Sequence, residues 1–189
     1  VFPELLLIDY LLLMDRWNHA YNLTAVREPL VMVERHVLDS LSIATWLEAE
    51  AVLDIGTGAG LPGIPLAIAR PAKTFVLADS NGKKIRFVRE VVRQLALERV
   101  RPIQSRMEAL PIVPDVDIVC RALAPLAQLV EWTAEWLENG ARLLAMKAEL
   151  SDFERKAVTT DYNMRIVRTV LHQNSELNRQ RCLAIITRP

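Results

Sequence analysis

Asp54-Ile55-Gly56-Thr57-Gly58-Ala59-Gly60-Leu61-Pro62-Gly63 is the stretch of this chain best equipped to hold a ligand. It follows a short apolar run, Ala51 to Ile55, that carries one acid near its end, and four glycines fall within the next eight residues. The run reads as a buried strand, and the glycines read as a tight turn that brings backbone N–H groups close to a bound molecule. Pro62 and Pro65 stand where a helix begins. Proline is tolerated there because the N–H groups of a first turn have no intrahelical partners. Ile64, Leu66, Ala67, Ile68 and Ala69 supply the apolar body of that helix. Strand, glycine turn and helix in this order are how open α/β sheets hold nucleotide-like ligands.

The glycines admit two registers. Gly58-x-Gly60-x-x-Gly63 matches the dinucleotide fingerprint, whereas Asp54-x-Gly56-x-Gly58-x-Gly60 matches the acid-plus-glycine loop of enzymes that use S-adenosylmethionine. Charge separates them. A pyrophosphate wants bare N–H groups and no carboxylate nearby, while S-adenosylmethionine carries an ammonium and a sulfonium and gains from an acid beside the loop. Asp54 tilts the reading toward methyl transfer, with Gly56, Gly58, Gly60 and Leu61 as further cofactor contacts. A glycine turn that holds nothing is the structural alternative.

In an open α/β sheet the ligand lies outside the carboxyl ends of the strands. That rule selects Asp79-Ser80, Ser105-Arg106-Met107-Glu108, Arg121 and Lys147. Asp79 lies about twenty residues beyond the loop, where an acid accepts both ribose hydroxyls; its alternative role is a helix cap, which Ser80 or Asn81 could also fill. Met107-Glu108 either meets the adenine edge or begins a helical turn with Ser105 and Glu108 as a capping box. Arg121 closes an apolar strand, and a buried arginine needs a partner, so it is placed facing the cofactor–substrate cleft. Lys147 holds the equivalent place on the next strand, with a solvated strand end as its alternative. Amine methylation through an Asp/Asn-Pro-Pro-aromatic motif has no support, since the position reads Cys120-Arg121-Ala122-Leu123. Thiolate chemistry has none either, because Cys120 is expected to point into the sheet.

The elements that must position these residues follow from hydrophobic periodicity. Pro3 to Ala20 is expected to be a helix with Leu5, Ile8, Leu12 and Leu13 on one face. An ordered loop at Asn18–Thr24, a helix over Pro29–Leu41 and a further helical stretch to Leu47 come next. Strands are expected at Ala51–Ile55, Thr74–Ala78, Val100–Gln104, Val116–Cys120 and Ala141–Met146, with helices at Gly82–Leu97, Pro125–Leu137 and Glu149–Ala157. Met164–Leu171 and Arg181–Thr187 read as an antiparallel strand pair at the edge. The alternation implies a mostly parallel, doubly wound α/β sheet. Residues 1–48 form a helical cap of the same domain and residues 49–189 its ligand-binding core.

The chain has 189 residues and zero formal net charge, which removes any global attraction to nucleic acid or membrane. Charge is uneven, however. Lys83, Lys84, Arg86, Arg89, Arg93, Arg99, Arg101 and Arg106 face only Glu90 and Glu98 across that segment. The helix Gly82–Leu97 would carry Lys83, Arg86, Arg89 and Arg93 outward, either as a solvated face or as a phosphate-contact surface. Two distant cysteines in apolar segments suggest neither a disulfide framework nor a metal cluster. No apolar run reaches the length of a membrane span, and the opening leucine run lacks the basic start and cleavage site of a signal peptide. A cytoplasmic monomer without metal is the expectation.

The joint set of motifs is more specific than any one of them. Trp17-Asn18-His19-Ala20-Tyr21-Asn22-Leu23-Thr24, Arg35-His36-Val37-Leu38-Asp39-Ser40, Asp54 to Pro65, Asp79-Ser80-x-Gly82-Lys83-Lys84, Gln104 to Glu108 and Arg121-Ala122 occur in that order. Together they resemble, over nearly the whole chain, the guanine-N7 methyltransferases of 16S ribosomal RNA, also called glucose-inhibited division protein B. The resemblance implies a Rossmann-like class I methyltransferase fold with a seven-stranded sheet and an N-terminal helical addition. It also implies S-adenosylmethionine as cofactor and 16S ribosomal RNA or the small ribosomal subunit as partner. By position, Gly56 and Leu61 would contact the cofactor, Met107 and Glu108 its adenine end, and Arg121 the cofactor or target base. Arg35, His36, Lys83, Arg86, Arg89 and Lys147 are the RNA-facing candidates. The chain departs from the family at Ala148, where glycine is expected. Attack by guanine N7 needs neither a general base nor a protein nucleophile, in keeping with the missing motifs. Two rival readings remain: a nicotinamide-dependent oxidoreductase, which leaves Asp54 unexplained and finds only the scattered His19, His36 and His172, and a non-catalytic RNA-binding assembly factor.

Overall fold

The computed structural model describes residues 2–156, 158, 162–170 and 180–189. Its core is a sheet of seven strands: β1 (Ala51–Ile55), β2 (Thr74–Asp79), β3 (Val100–Gln104), β4 (Val116–Arg121), β5 (Arg142–Lys147), β6 (Asn163–Val170) and β7 (Gln180–Thr187). They lie in the order β3-β2-β1-β4-β5-β7-β6. All neighbours are parallel except β7, which runs antiparallel to both β5 and β6. The chain leaves β1 toward β2 and β3 on one side and returns to β4 and β5 on the other. This reversal opens a crevice at the carboxyl ends of β1 and β4. The expected helix end at Ala157 and strand end at Leu171 lie outside the described residues; the described parts are α7 (Asp152–Lys156) and β6.

Strand parity divides the core. In β1, Val52 packs on one face of the sheet and Leu53 and Ile55 on the other; in β4, Val119 faces the first side and Ile118 and Cys120 the second. The first face is covered by α1 (Pro3–Tyr21), α4 (Gly63–Ala69) and α5 (Gly82–Gln94), through Tyr10, Met14, Leu66, Phe87 and Val91. The second is covered by α6 (Leu126–Glu138), through Leu126, Leu129 and Trp136. Residues apolar on both faces of a strand are what a doubly covered parallel sheet demands.

The helix between residues 29 and 41 is less regular than expected. It comprises α2 (Pro29–Met32), a π-helical turn Val33–Leu38 and α3 (Asp39–Leu41). The wider turn buries both His36 and Val37, and such turns recur where a helix carries functional side chains. The expected face of α1 is also corrected. Leu5, Ile8 and Leu12 are more than half exposed, while Tyr10, Leu13, Met14 and Asn18 are buried. Leucines surround this helix, so the apolar pattern has little contrast. Tyr10 decides the orientation: its ring stacks on Phe87 and its hydroxyl donates to the Ala59 carbonyl at 2.8 Å. Elsewhere the boundaries shift by a few residues. α5 stops at Gln94 rather than Leu97 because Ala96 turns left-handed, at φ 51°.

Candidate functional site

Asp54 organises the glycine turn from below. It is fully buried on the face of β1 that α4 covers, and its Oδ2 accepts the Thr57 hydroxyl at 2.6 Å and the Gly63 N–H at 2.8 Å. The turn is thereby tied at its start and at the first residue of α4. Gly63 has no room for a side chain there, since a Cβ would overlap Leu77 and sit 2.6 Å from Asp54 Oδ2. Burial pushes the Asp54 carboxyl up to about 7, against the pull of its bonds to Thr57 and Gly63. Its Oδ1 is buried without a hydrogen-bond partner among the described residues. Asp54 lies beneath the loop and is absent from the cleft wall, because its strand parity points it into the core. Gly60 also sits behind the wall, its N–H bonded to the Thr57 carbonyl.

The wall is a cleft of about 830 Å³ at the carboxyl ends of the strands. At one end lie Gly56, Gly58 and Leu61, then Asp79 and Ser80 at the end of β2, then Met107 and Glu108 in the 3₁₀ turn after β3. Gly56 adopts φ +67°, and a Cβ on it would come within 2.5 Å of the Leu123 side chain, so glycine alone fits both the turn and this packing. Asp79 accepts the Gly58 N–H at 2.9 Å through Oδ2 and the Asn81 N–H at 2.8 Å through Oδ1. Asn81, not Asp79, caps α5, by accepting from Lys83 N–H and Lys84 N–H. That leaves the Asp79 carboxylate to the loop and the cleft, with Lys84 at 3.9 Å. The capping box that is the alternative reading of Ser105 and Glu108 does not form, since the Ser105 hydroxyl bonds to the Arg106 carbonyl. Glu108 stands exposed at the rim.

The other end is cationic and partly buried. Arg121 reaches from β4 to the helical cap, donating from Nη1 to the Arg35 carbonyl at 2.8 Å and to Asp39 Oδ2 at 3.2 Å. Arg181, from β7, lies 3.0 Å from Asp39 Oδ1. His36 shares a hydrogen bond of 2.9 Å with the Thr24 hydroxyl, and burial, with Arg121 nearby, lowers it to about 4, so it is neutral at physiological pH. Arg35 and His36 both line the cleft. Lys147 does too, but its ammonium is engaged by the Ala124 carbonyl at 2.7 Å and Glu154 at 3.1 Å. Lys83, Arg86 and Arg89 lie outside the cleft wall, on the exposed face of α5. Cys120 points into the opposite core, where burial pushes its thiol up to about 12. Sequence reasoning did not single out Asp39, Arg181, Leu123 or Lys84. Asp39 had a signal in its spacing from Arg35 and His36, whereas Arg181 is delivered by a distant strand and had none.

Among the described residues, no group of three His, Cys, Asp or Glu side chains could hold a metal ion, and no helix is long and apolar enough to cross a membrane. Comparison with solved structures gives the fold. An O-methyltransferase from Bacillus cereus, solved with S-adenosylhomocysteine, superposes with a TM-score of 0.61 at 16% identity, covering 95% of this chain and 91% of that one. Sequence comparison is closer. The ribosomal RNA small subunit methyltransferase G of Legionella pneumophila is 46% identical over 160 residues, 84% of this chain and 77% of the relative. That of Salmonella arizonae is 41% identical over 181 residues, 95% and 86%. The sequence profile described as rRNA small subunit methyltransferase G matches residues 4–183. With this match spanning nearly the whole chain, cleft included, the chain belongs to the small-subunit ribosomal RNA methyltransferase G family.

Proposed function

We propose that this protein methylates N7 of a guanine in the decoding-region loop of 16S ribosomal RNA, with S-adenosylmethionine as donor. The observation that carries the proposal is a single cleft with two unlike ends. One is a glycine cradle with carboxylates; the other is a cluster of arginines beside a neutral histidine.

The residues fit the cofactor. The glycine turn, and the carboxylates of Asp79 and Glu108 beside it, suit a ligand with hydroxyl and ammonium donors. Gly56, Gly58 and Leu61 would hold its amino-acid portion and Asp79 its ribose, with Ser80 beside it. Met107 and Glu108 would meet its adenine. Asp54 keeps the loop in shape without touching the ligand. When bound, S-adenosylmethionine supplies a methyl group on a sulfonium, which a lone pair takes up directly.

The protein's own part is alignment. Guanine N7 carries a lone pair and no proton, so no side chain has to remove one. Holding reacting atoms in line and excluding water lowers the barrier by fixing orientation in advance. Arg121, Arg35 and Arg181 line the end where the target nucleotide would enter, and His36 stays uncharged behind them. Lys83, Arg86 and Arg89 stand where they can meet phosphates outside the cleft. The substrate places this work in the cytoplasm. The family match does not favour the nicotinamide or the non-catalytic reading.

The test uses small subunits from a bacterial strain that lacks this activity, incubated with the protein and methyl-labelled S-adenosylmethionine. Label in 16S ribosomal RNA is expected. A protein that bound the subunits but transferred no methyl would be an assembly factor. Calorimetric titration with S-adenosylhomocysteine and with NADH tests the cofactor, and binding only to NADH would overturn the proposal.

A further inference from the structure

The most deeply set charge in the cleft is Asp39, and the chemistry above gives it no task. It stands at the start of α3 with its side chain 4% exposed. Its two oxygens face different strands: Oδ2 takes a hydrogen bond from Arg121 of β4, and Oδ1 lies 3.0 Å from Nε of Arg181 of β7. The second contact is off the hydrogen-bond axis, so charge rather than a linear N–H···O bond holds it. β4 and β7 share no ladder, because β5 runs between them. Nothing in the sheet's own hydrogen bonding fixes these two guanidinium groups relative to each other. Each is only about one-fifth exposed, and without a carboxylate between them they would repel in a poorly screened space.

We propose that Asp39 is a positioning residue, which pins Arg121 and Arg181 as one unit against the target nucleotide. The inference rests on the methyl-transfer reading above. An unrestrained arginine closes on guanine through both O6 and N7, and that grip would cover the atom to be methylated. Arg121 has Nη1 held by Asp39 and by the Arg35 carbonyl, so its fork cannot swing freely onto that edge. Asp39 thus joins the helical cap to the two strand ends that handle RNA, while the glycine loop stands apart from it.

The experiment compares wild type, Asp39→Asn, Asp39→Glu, Arg181→Gln and the double variant Asp39→Asn/Arg181→Gln. Each is measured for methyl transfer to small subunits and for S-adenosylhomocysteine affinity. Wild-type turnover establishes the methyltransferase reading independently, so a failure there is distinct from a failure of Asp39. Asp39→Asn is expected to lower kcat/KM for the RNA substrate at least tenfold while cofactor affinity stays within twofold. The double variant is expected to lose less than the product of the two single losses, because residues acting as a unit are not additive. Asp39→Glu keeps the charge but displaces it by one methylene, and is expected to lose about fivefold; it decides the case if Asp39→Asn does not fold. Wild-type activity in either carboxylate variant would overturn the inference. So would losses that multiply in the double variant, or an equal loss of cofactor affinity.

Discussion

Two buried titratable groups in this fold oppose each other, and separating them tests how the site is held. Folded Asp54 is raised to about 7 from an ordinary 3.8 because burial disfavours its charge. It therefore keeps a proton that the unfolded chain releases. Its stabilising contribution is full below about 3.8 and is lost as pH rises from there through about 7. Folded His36 is lowered to about 4 from 6.5, again chiefly by burial. Its contribution is full above 6.5 and is lost as pH falls through about 4. Each group contributes about 1.4 kcal/mol per pH unit where only one of the two states titrates, with opposite signs. Between pH 4 and 6.5 the two slopes nearly cancel, and the wild-type stability profile should be close to flat. Asp54→Asn keeps an oxygen for Thr57 and Gly63 but cannot titrate, so it exposes the His36 slope. From pH 5 to 7 its stability relative to wild type should rise by about 2 kcal/mol, an order-of-magnitude figure from the 1.4 kcal/mol per unit. Urea unfolding of both proteins at pH 5, 6, 7 and 8, followed by tryptophan fluorescence, measures the difference, and groups common to both proteins drop out of it. A difference constant to within about 0.5 kcal/mol, comparable with extrapolation error, would refute the argument that Asp54 is held largely protonated beneath the loop.

Other perturbations give separate expectations. Gly63→Ala forces a methyl against Leu77 and the Asp54 carboxylate; it should cost about 2–3 kcal/mol by overpacking despite alanine's better helix propensity, and an unchanged denaturation midpoint would contradict that. Tyr10→Phe removes the hydroxyl that bonds to Ala59; stability should fall by about 1–2 kcal/mol because the buried carbonyl loses its partner, and differential scanning calorimetry reads it. Reversing Arg86 and Arg89 to glutamate should weaken RNA binding and flatten its salt dependence while sparing S-adenosylhomocysteine affinity; undiminished RNA affinity would remove α5 from the RNA-binding surface. Cys120, buried and with its thiol raised to about 12, should resist iodoacetamide in the native protein and react only after denaturation.

The sheet and the glycine loop were legible in the sequence because their signals are local. Short apolar runs gave every strand of the parallel part, and the spacing of Asp54, the glycines and Asp79 gave the loop and its neighbour. What failed was orientation. Asp54 lies in a strand covered on both faces, so its presence said nothing about whether it pointed to a ligand or to the core. α1 has leucines all round, and only the Tyr10 hydrogen bond and its stacking on Phe87 fix the buried face. Nothing local announced that Lys147, which lines the cleft, is engaged by Glu154, because that residue comes from a short helix with no motif. The pairing of Asp39 with Arg181 depends on β7 inserting antiparallel beside β5. That is a fact of topology, which no window of sequence contains.

The central claim concerns one atom, so the most direct measurement locates the methyl group. Small subunits methylated by this protein would have their 16S ribosomal RNA reduced with borohydride and cleaved with aniline, which breaks the chain only at N7-methylguanosine. One new break in the decoding-region loop, dependent on both the protein and S-adenosylmethionine, is the predicted result. Methyl incorporation without cleavage would place the mark on another atom and contradict the account.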